Sequence, residues 1–322
     1  MQEYVQWGII GCGDVTEVKS GPGFYKATDS RLAAVMRRDA EKAADYARRH
    51  GVPKWYSDAE HLIQDPEVTA IYVATPPSSH EVYTVSALKA GKPVYVEKPI
   101  ATTLASATRM ADTAATTGIK LSVAHYRRAL PKFLQIRQYL QEEAIGDIRS
   151  IRISMYQSPR PEQNETYWRT DPLIGGNGGL FYDLAPHQLD ILIWLFGAPI
   201  AASGFSANQL GAYRSKDIVS GTARFPGNIL FTGMWCFTSG EHQQEDICEI
   251  VGSKGRLSFS FFAHDLMVEM GSRKEHFTIP PPAHIQQPMI EAVVRYFRGE
   301  GPNPCSAEDA LLSMKLMETF IT

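Results

Sequence analysis

The sequence contains little of several features that mark particular classes of protein. Its four cysteines are widely spaced and form no C-x-x-C pair, which argues against a disulfide framework or a zinc site. A net charge of −3 argues against nucleic acid or an anionic membrane surface as a partner. No apolar run is as long as a membrane span, and the opening segment "MQEYVQWGII" lacks the basic region of a signal peptide. We therefore expect a soluble, cytoplasmic, enzyme-like protein without a bound metal.

A regular alternation of two hydrophobic patterns occupies the first part of the chain. Five strand-like runs occur there, namely "VQWGII", "LAAVM", "AIYVAT", "VYVE" and "KLSVAH". Three stretches with helical periodicity lie between them, and each ends at a glycine, the usual residue after a helix. Strands that alternate with helices predict right-handed βαβ units and a doubly wound parallel sheet. We place this α/β domain at residues 1–124.

Residues 125–322 show a different pattern, in which strand-like runs follow one another. Turn sequences such as "PGN" at 226–228 and "GSKG" at 252–255 separate them, which favours antiparallel hairpins. Helices are expected at about 181–196, 284–298 and 306–320. We predict an α+β domain with a large, mostly antiparallel open sheet. Because the runs "ILFTGMWCF" and "LSFSFF" are apolar enough to need a cover, we also predict self-association through this sheet.

A glycine-containing turn follows the first strand and precedes a helical stretch. In the Rossmann fingerprint, the first glycine makes the tight turn, the second admits a pyrophosphate, and the third allows the helix to pack closely on the sheet. Thr16 occupies the third position here, so close packing of the helix is in question, and "GPG" at 21–23 is expected to break that helix. We predict a dinucleotide-binding site at this turn. The residues assigned to it are Gly11, Gly13, Asp14 and Val15.

The end of the second strand, "VMRRD", bears on the type of dinucleotide. Proteins that bind NAD usually place an acidic residue there for the ribose 2′-hydroxyl, whereas NADP-binding proteins place an arginine for the 2′-phosphate. Arg37 occupies that position, with Arg38 beside it, and Asp39 could still reach a hydroxyl. Because a guanidinium matches phosphate geometry, we predict that NADP is preferred and that NAD is possible.

Four further motifs together resemble one family. "GIIGCGDV" near the N-terminus, "VATPPSSH" at 73–80, "EKP" at 97–99 and "YWRTDPLIGGNGGLFYDLAPHQLDIL" in the second half are similar to segments of the Gfo/Idh/MocA family of NAD(P)-dependent oxidoreductases. The resemblance covers nearly the whole chain. It implies a Rossmann domain for cofactor binding, followed by a substrate-binding domain whose large open sheet often forms homodimers or homotetramers.

The resemblance also implies roles for individual residues. The cofactor contacts that it implies are Thr75, Pro76, His80, Glu97 and Arg169, of which Glu97 approaches the nicotinamide ribose. Lys98 corresponds to the family's active-site lysine, and Tyr126 and Arg127 are candidate pocket residues. These assignments predict that the end of the "VYVE" strand lies at the nicotinamide.

An acid and an imidazole lie one helical turn apart in the second half of the chain. Asp183 and His187 share one face of the expected helix, and the segment before it, "GGNGG", is expected to be flexible. His187 suits a general base because its unperturbed pKa lies near neutrality, and Lys98 suits stabilisation of an alkoxide. Asp183 then orients His187 or binds a substrate hydroxyl. The aromatic candidates for contact with a substrate ring are Tyr126, Trp168 and Tyr182.

Three functions remain open on the sequence alone. The first is an NADP-preferring dehydrogenase or reductase of a sugar, polyol or related cyclic alcohol. The second is a glycosidase of this fold that uses bound NAD for transient oxidation. The third is a regulatory protein that senses a dinucleotide without turnover. Lys98, Asp183 and His187 together weigh against the third, because a sensor does not need all three groups.

Overall fold

The computed structural model describes residues 4–164 and 166–321. Residues 1–3, which belong to the N-terminal segment considered above, lie outside the described residues. The strands are β1 Val5–Ile10, β2 Ser30–Met36, β3 Lys54–Tyr56, β4 Ala70–Val73, β5 Val94–Val96, β6 Leu121–Val123, β7 Ile148–Tyr156, β8 Ala201–Ala207, β9 Ile218–Phe225, β10 Ile229–Cys236, β11 Glu245–Gly252, β12 Gly255–Phe259, β13 Asp265–Met270 and β14 Arg273–Thr278. The helices are α1 Asp14–Val18, α2 Gly21–Lys26, α3 Ala40–His50, α4 Ala59–Gln64, α5 His80–Lys89, α6 Leu104–Thr117, α7 Pro131–Gln141, α8 Leu180–Phe196, α9 Gln287–Arg298 and α10 Ala307–Phe320. Among the described residues, no helix is both long and apolar enough to cross a membrane.

The chain divides into two compact units. The first contains Met1–Arg127 and Pro282–Leu311, and the second contains Arg128–Pro281 and Leu312–Thr322. The expected boundary after residue 124 lies close to the first of these divisions. The return of a C-terminal segment to the first unit differs from the expected two-part division. Periodicity does not reveal such a return, because it depends on contacts between residues far apart in the chain.

The first unit is built on a six-stranded parallel sheet. Its strand order is β3-β2-β1-β4-β5-β6, and every neighbouring pair is parallel. This is the order of the doubly wound dinucleotide-binding fold, with its change of direction between β1 and β4. The central strands are apolar on both faces, as expected where helices cover both sides of a parallel sheet. The predicted doubly wound domain is therefore confirmed.

The helix after the glycine turn is short, as expected from "GPG", because α1 ends at Val18 and a separate helix begins at Gly21. Gly21, Pro22 and Gly23 do not form a loop but begin α2, with the proline in its first turn, where a missing N–H costs no helical hydrogen bond. Both glycines are close to other parts of the first unit. A Cβ on Gly21 would come within 2.0 Å of the Thr16 carbonyl oxygen, and one on Gly23 within 2.5 Å of Ile290 in α9. These glycines therefore allow α2 to pack closely.

The second unit contains an eight-stranded sheet in the order β14-β13-β12-β11-β7-β10-β9-β8. All of its neighbouring strands are antiparallel except β7 and β10, which are parallel. This confirms the predicted mostly antiparallel sheet. Three glycines, Gly204, Gly221 and Gly233, are paired in register across β8, β9 and β10. A Cβ on Gly221 would lie 2.5 Å from the Phe320 ring, so the glycines make room for the end of α10.

Most apolar side chains of the two runs are covered within the second unit, whereas Leu230 and Phe262 are 59% and 36% exposed. Phe231 and Trp235 of β10 are at most 1% exposed and pack on Phe320. Phe259 of β12 contacts Phe133 of α7. Strand periodicity sends alternate side chains to opposite faces, so part of an apolar run is covered while a residue such as Leu230 stays exposed.

The opposite face of this sheet is mixed in character. Phe205 and Leu230 are 79% and 59% exposed. Ion pairs with N···O distances of 2.5 to 3.3 Å cross five neighbouring strands, from β7 to β14. Their members are Arg152, Glu249, Arg256, Glu269 and Lys274. We call this surface the outer face.

Candidate functional site

The turn after β1 is tight at Gly11 and faces open space at Gly13. Gly11 has a φ of +95°, and a Cβ there would lie 2.9 Å from the main-chain nitrogen of Thr75, so only glycine fits. A Cβ on Gly13 would meet only the Gly11 oxygen, at 3.9 Å. Open space therefore faces this glycine. The main-chain N–H groups of Asp14 and Val15 begin α1 and have no partner within that helix.

Thr16 takes the place of the third glycine without loosening the loop. It is fully buried, and its hydroxyl donates a hydrogen bond of 2.7 Å to the Gly13 oxygen. Its own carbonyl accepts a hydrogen bond of 2.8 Å from the Tyr46 hydroxyl of α3. The adjacent Glu17 forms an ion pair of 2.7 Å with Arg49, also of α3. Close packing is thus kept, although between α1 and α3.

Arg37 and Asp39 occupy different roles at the end of β2. Arg37 is partly exposed and donates from Nη1 to the carbonyl oxygen of Cys12, at 3.3 Å, which places its guanidinium beside the glycine turn. Asp39 caps α3 by accepting from the Lys42 N–H at 3.1 Å, and its other oxygen pairs with Lys42 Nζ at 3.2 Å. Arg38 is exposed. The Asp39 carboxylate is therefore engaged by α3, the helix that it caps.

His80 joins two loops at the carboxyl ends of neighbouring strands. It is fully buried, with Nε2 2.7 Å from the Thr75 oxygen and Nδ1 3.0 Å from the Pro99 oxygen. Burial lowers the pKa of its imidazole. Pro76 is partly exposed between these residues. His80 therefore fixes the loop after β4 to the loop after β5, and it does not itself present a surface to a ligand.

Two observations test whether this end of the first unit fits a dinucleotide. Open space lies at Gly13, next to main-chain N–H groups that can meet a phosphate. The Thr75 hydroxyl is buried and has no hydrogen-bond partner within the described residues, so it has capacity for a hydrogen bond with a ligand. Both features suit the phosphate and ribose groups of a dinucleotide. The residues present therefore fit the group.

Glu97 is held by three hydrogen bonds. It is 7% exposed, and its Oε1 accepts from the Tyr72 hydroxyl at 2.6 Å and from Gln286 Nε2 at 2.8 Å. Its Oε2 accepts from the main-chain N–H of Lys98 at 3.1 Å. Lys98 is partly exposed and precedes a cis peptide bond to Pro99. Sequence reasoning missed Gln286, since no local motif links it to a residue 189 positions earlier.

In the second unit, the glycine-rich segment before α8 is closely packed. A Cβ on Gly175 would lie 2.7 Å from the Arg169 oxygen, and one on Gly178 would lie 2.1 Å from the Tyr182 ring. Gly179 has a φ of +54°, and its Cβ would meet the Ser215 hydroxyl at 2.2 Å. The expected flexibility of this segment is therefore replaced by close contact, which fixes where α8 begins.

Asp183 and Arg169 form an ion pair, with 3.2 Å between Arg169 Nε and Asp183 Oδ2. The Arg169 guanidinium also lies 4.2 Å from the centre of the Trp168 ring, and its Nη1 donates to the Tyr167 hydroxyl at 2.9 Å. Both charged side chains are partly exposed. The structure thus brings together an acid and an arginine that the sequence had assigned to separate roles.

His187 follows Asp183 by one turn of α8. It is 6% exposed, and its ring lies 5.9 Å from the ring of Phe262, at an interplanar angle of 79°. Phe262 lies in the loop between β12 and β13 and was missed by sequence reasoning. An exposed aromatic residue after an apolar strand carries no local signal of such a contact.

The proposed ring-contacting and pocket residues are mostly covered. Tyr126 and Tyr182 are 7% and 1% exposed, and Arg127 is 6% exposed. Burial raises the pKa of Tyr182 well above its ordinary value, as expected of a phenol within a core. Trp168 is partly exposed, but the Arg169 guanidinium lies over its ring.

Two protein-family models match the chain. One, described as an oxidoreductase family with an NAD-binding Rossmann fold, matches residues 5–125, and the other, a GFO/IDH/MocA C-terminal domain, matches residues 133–258. An oxidoreductase from Formosa agariphila is 42% identical over 325 residues, which cover 99% of this chain and 99% of that protein.

More distant similarities involve proteins with named substrates. The 1,5-anhydro-D-fructose reductase of Ensifer adhaerens is 27% identical over 322 residues, covering 96% of this chain and 93% of that protein. The crystal structure of an aldose-aldose oxidoreductase from Caulobacter crescentus, complexed with glycerol, has a TM-score of 0.86 at 21% identity and covers 98% of this chain and 96% of that one. At this identity the structural similarity concerns the fold.

Proposed function

Because this chain belongs to the Gfo/Idh/MocA family of oxidoreductases, we propose that it transfers a hydride between a nicotinamide dinucleotide and a secondary alcohol or ketone of a sugar, polyol or related cyclic compound. The family membership and the Rossmann domain confirm the resemblance found in the sequence. The substrate class is supported by the similarity to an anhydrosugar reductase. The observation that carries the proposal is the placement of Asp183 and His187 one turn apart on α8, with Arg169 paired to the acid.

The chemistry of alcohol oxidation assigns a task to each polar group. A bound dinucleotide would supply the nicotinamide ring as hydride acceptor, held by the turn after β1. His187 accepts the hydroxyl proton, and the positive charge of Lys98 stabilises the negative charge that develops on the alkoxide oxygen. Asp183, with its charge balanced by Arg169, orients His187 or accepts a hydrogen bond from a second substrate hydroxyl. In the reverse direction His187 returns the proton to the ketone oxygen.

The proposal includes a preference for NADP over NAD. Arg37 lies beside the glycine turn, where the 2′-phosphate of NADP would meet its guanidinium, and Arg38 is exposed next to it. Asp39 caps α3 and pairs with Lys42, so its carboxylate is engaged where an NAD-binding protein needs an acceptor. The first loop would hold the phosphates through Gly13, Asp14 and Val15.

A substrate panel tests the proposed function. Purified protein is mixed with sugars, inositols and keto-sugars, with each cofactor in turn, and the absorbance of the reduced nicotinamide is followed. Steady production or consumption of reduced cofactor supports the proposal. Product formation without net cofactor change would favour the NAD-dependent glycosidase, and tight cofactor binding without turnover of any compound would favour the regulatory protein.

Assembly and location complete the proposal. We propose a homodimer or homotetramer formed through the outer face, because Phe205 and Leu230 are strongly exposed there. The face also carries side chains of both charge signs, which can pair with those of a second copy. A cytoplasmic location is supported by the four cysteines, which are all buried and form no disulfide.

A further inference from the structure

An exposed aromatic ring lies beside the proposed base. Phe262 is 36% exposed, although large apolar side chains are usually buried, and its ring contacts that of His187 at a centroid distance of 5.9 Å. The aromatic residues that the sequence suggested for ring binding are less suitable, since Tyr126 and Tyr182 are buried and Arg169 lies over Trp168. Phe262 is thus an exposed aromatic side chain in contact with His187.

The loop that carries Phe262 is anchored by hydrogen bonds to two charged side chains. The Phe262 N–H donates to Asp246 Oδ2 at 2.8 Å, and the Phe261 N–H donates to Oδ1 of the same carboxylate at 3.2 Å. Lys132 is only 5% exposed, and its Nζ donates to the main-chain oxygens of Ser260 and Ala263 at 2.5 and 2.6 Å. Charge-assisted hydrogen bonds of this kind hold a loop in one position. The exposure of Phe262 is therefore a feature of an ordered loop.

The distance between the Phe262 and His187 rings bears on which part of a substrate Phe262 can contact. A hydroxyl that gives its proton to His187 must come within about 3 Å of a ring nitrogen. Because the two ring centres are 5.9 Å apart, a carbon framework bearing that hydroxyl can reach Phe262. The ring forms of sugars and cyclitols carry C–H groups on one face, and these pack on an aromatic ring. An open-chain polyol has no fixed face of this kind.

Resting on the proposed function, we propose that Phe262 is a specificity-determining residue that packs against the C–H face of a ring-form substrate, such as a pyranose, an anhydrosugar or a cyclitol. Its contact selects closed rings over open-chain polyols of similar size. The step itself is unchanged, since Phe262 supplies contact and no proton. The residue thus acts on substrate affinity, while His187 acts on the proton.

Ligand binding tests this proposal independently of turnover. Saturation-transfer NMR and calorimetry compare 1,5-anhydroglucitol and myo-inositol with the open-chain sorbitol, in the presence of reduced NADP or NAD, which cannot oxidise an alcohol. The full-length protein should bind at least one ring compound more tightly than sorbitol. Phe262→Ala should weaken binding of that ring compound by about tenfold, as loss of an aromatic contact implies, and leave sorbitol and cofactor binding unchanged. Phe262→Trp should retain ring binding to within about twofold.

Controls separate this role from a structural one. Phe205→Ala removes another exposed phenylalanine, on the outer face, and should leave ring binding unchanged. Thermal unfolding followed by circular dichroism should show that Phe262→Ala folds, and Phe262→Leu provides a second variant if it does not. The proposal is overturned if Phe262→Ala binds ring compounds as the parent does, if it weakens sorbitol equally, or if the parent binds no ring compound. Ring binding with the expected loss but without hydride transfer would retain the proposal and refute the proposed function.

Discussion

Two side chains at the residue scale carry most of the proposed chemistry, and their surroundings differ. Lys98 is partly exposed, and its main-chain N–H is fixed by the Glu97 carboxylate. His187 is nearly buried against Phe262. A side chain that stabilises an alkoxide needs a fixed main chain and access to the substrate, whereas a base needs a defined ring position. These surroundings therefore suit the roles assigned to each residue.

Removing either group should impair the chemical step. Lys98→Ala should lower kcat by about two to three orders of magnitude, comparable to loss of one oxyanion-type donor. His187→Ala should lower it by about 10²- to 10⁴-fold and flatten the pH profile near neutrality. Single-turnover hydride transfer, with cofactor binding confirmed separately, measures both effects.

The exposed Lys89 at the end of α5 provides a matched control for the lysine variant. Lys89→Ala should leave hydride transfer unchanged. Near-normal rates in Lys98→Ala and His187→Ala would show that neither residue takes part in the reaction.

Arg37 provides a second prediction at this scale. Because a hydrogen bond to a charged group contributes about 1.5 to 3 kcal/mol, Arg37→Asp should lower NADP affinity by about tenfold or more. NAD affinity should rise or stay constant, since the new carboxylate can accept from a 2′-hydroxyl. Calorimetry with both cofactors measures this change, and Arg48→Asp, at an exposed position of α3, is the control. Equal affinities of the parent protein for the two cofactors would reverse the assignment.

At the scale of elements, α1 depends on α3. Five residues are too few for an independent helix, so α1 is held by its contacts, among them the ion pair between Glu17 and Arg49. Hydrogen bonding to Arg49 lowers the Glu17 pKa from 4.5 to about 2. A carboxyl group with a lowered pKa in the folded state stabilises that state above the unfolded pKa and loses this effect as the pH falls.

Glu17→Gln should therefore destabilise the protein at neutral pH, and the difference from the parent should shrink between about pH 4.5 and pH 2. Urea unfolding at several pH values measures the difference in unfolding free energy. Glu41→Gln, at an exposed position in the first turn of α3, should show a smaller difference. A difference for Glu17→Gln that is constant with pH would mean that the ion pair does not stabilise the fold.

The segment before α9 contributes to the first unit through Gln286. The Gln286 Nε2 donates to the Glu97 carboxylate, and Gln286 is 1% exposed. Gln286→Ala should lower the unfolding free energy by about 1.5 to 3 kcal/mol, because a buried hydrogen bond to a charged group is lost. It should also lower hydride-transfer rates, since Glu97 fixes the main chain of Lys98.

The neighbouring Gln287 is a matched control for this variant. It is partly exposed and bonds Glu291 within α9 at 2.9 Å, an interaction that contributes about 0.5 kcal/mol or less. Gln287→Ala should therefore have little effect on stability or rate. If urea unfolding and single-turnover rates of the two variants agree, Gln286 does not position Glu97.

The strands that the sequence did not reveal share a location. β3 is one edge of the parallel sheet, and β8 and β14 are the two edges of the second sheet. β14, "RKEHFT", is mostly charged and exposed, and β8 alternates small and polar residues. An edge strand has only one neighbour and needs fewer apolar side chains, and charges there discourage pairing with other chains. Hydrophobic pattern is therefore weakest at sheet edges.

At the scale of the whole molecule, the outer face predicts association. The parent protein should be a dimer or tetramer at micromolar concentration by light scattering. Phe205→Asp with Leu230→Asp should shift it to monomer, because charges placed in a buried apolar contact are strongly unfavourable. Leu173→Asp, at an equally exposed residue outside the sheet, should leave the mass unchanged. A monomeric parent protein would remove this proposal.

The sequence by itself determined the features that depend on neighbouring residues. The tight turn at Gly11, the βαβ alternation, α8 with Asp183 and His187 on one face, and the "EKP" motif all follow from short-range spacing, and the family follows from their combination. Such features are readable because φ/ψ preferences and side-chain periodicity act over a few residues.

Only the tertiary structure decided which distant residues meet. It placed Gln286 on Glu97, Arg169 on Asp183 and Phe262 beside His187. It also sent Phe231, Trp235 and Phe259 to the covered face and returned residues 282–311 to the first unit. These outcomes arise from packing among segments far apart in the chain, where the free energy depends on shape and on satisfying buried polar groups. No local pattern records that balance.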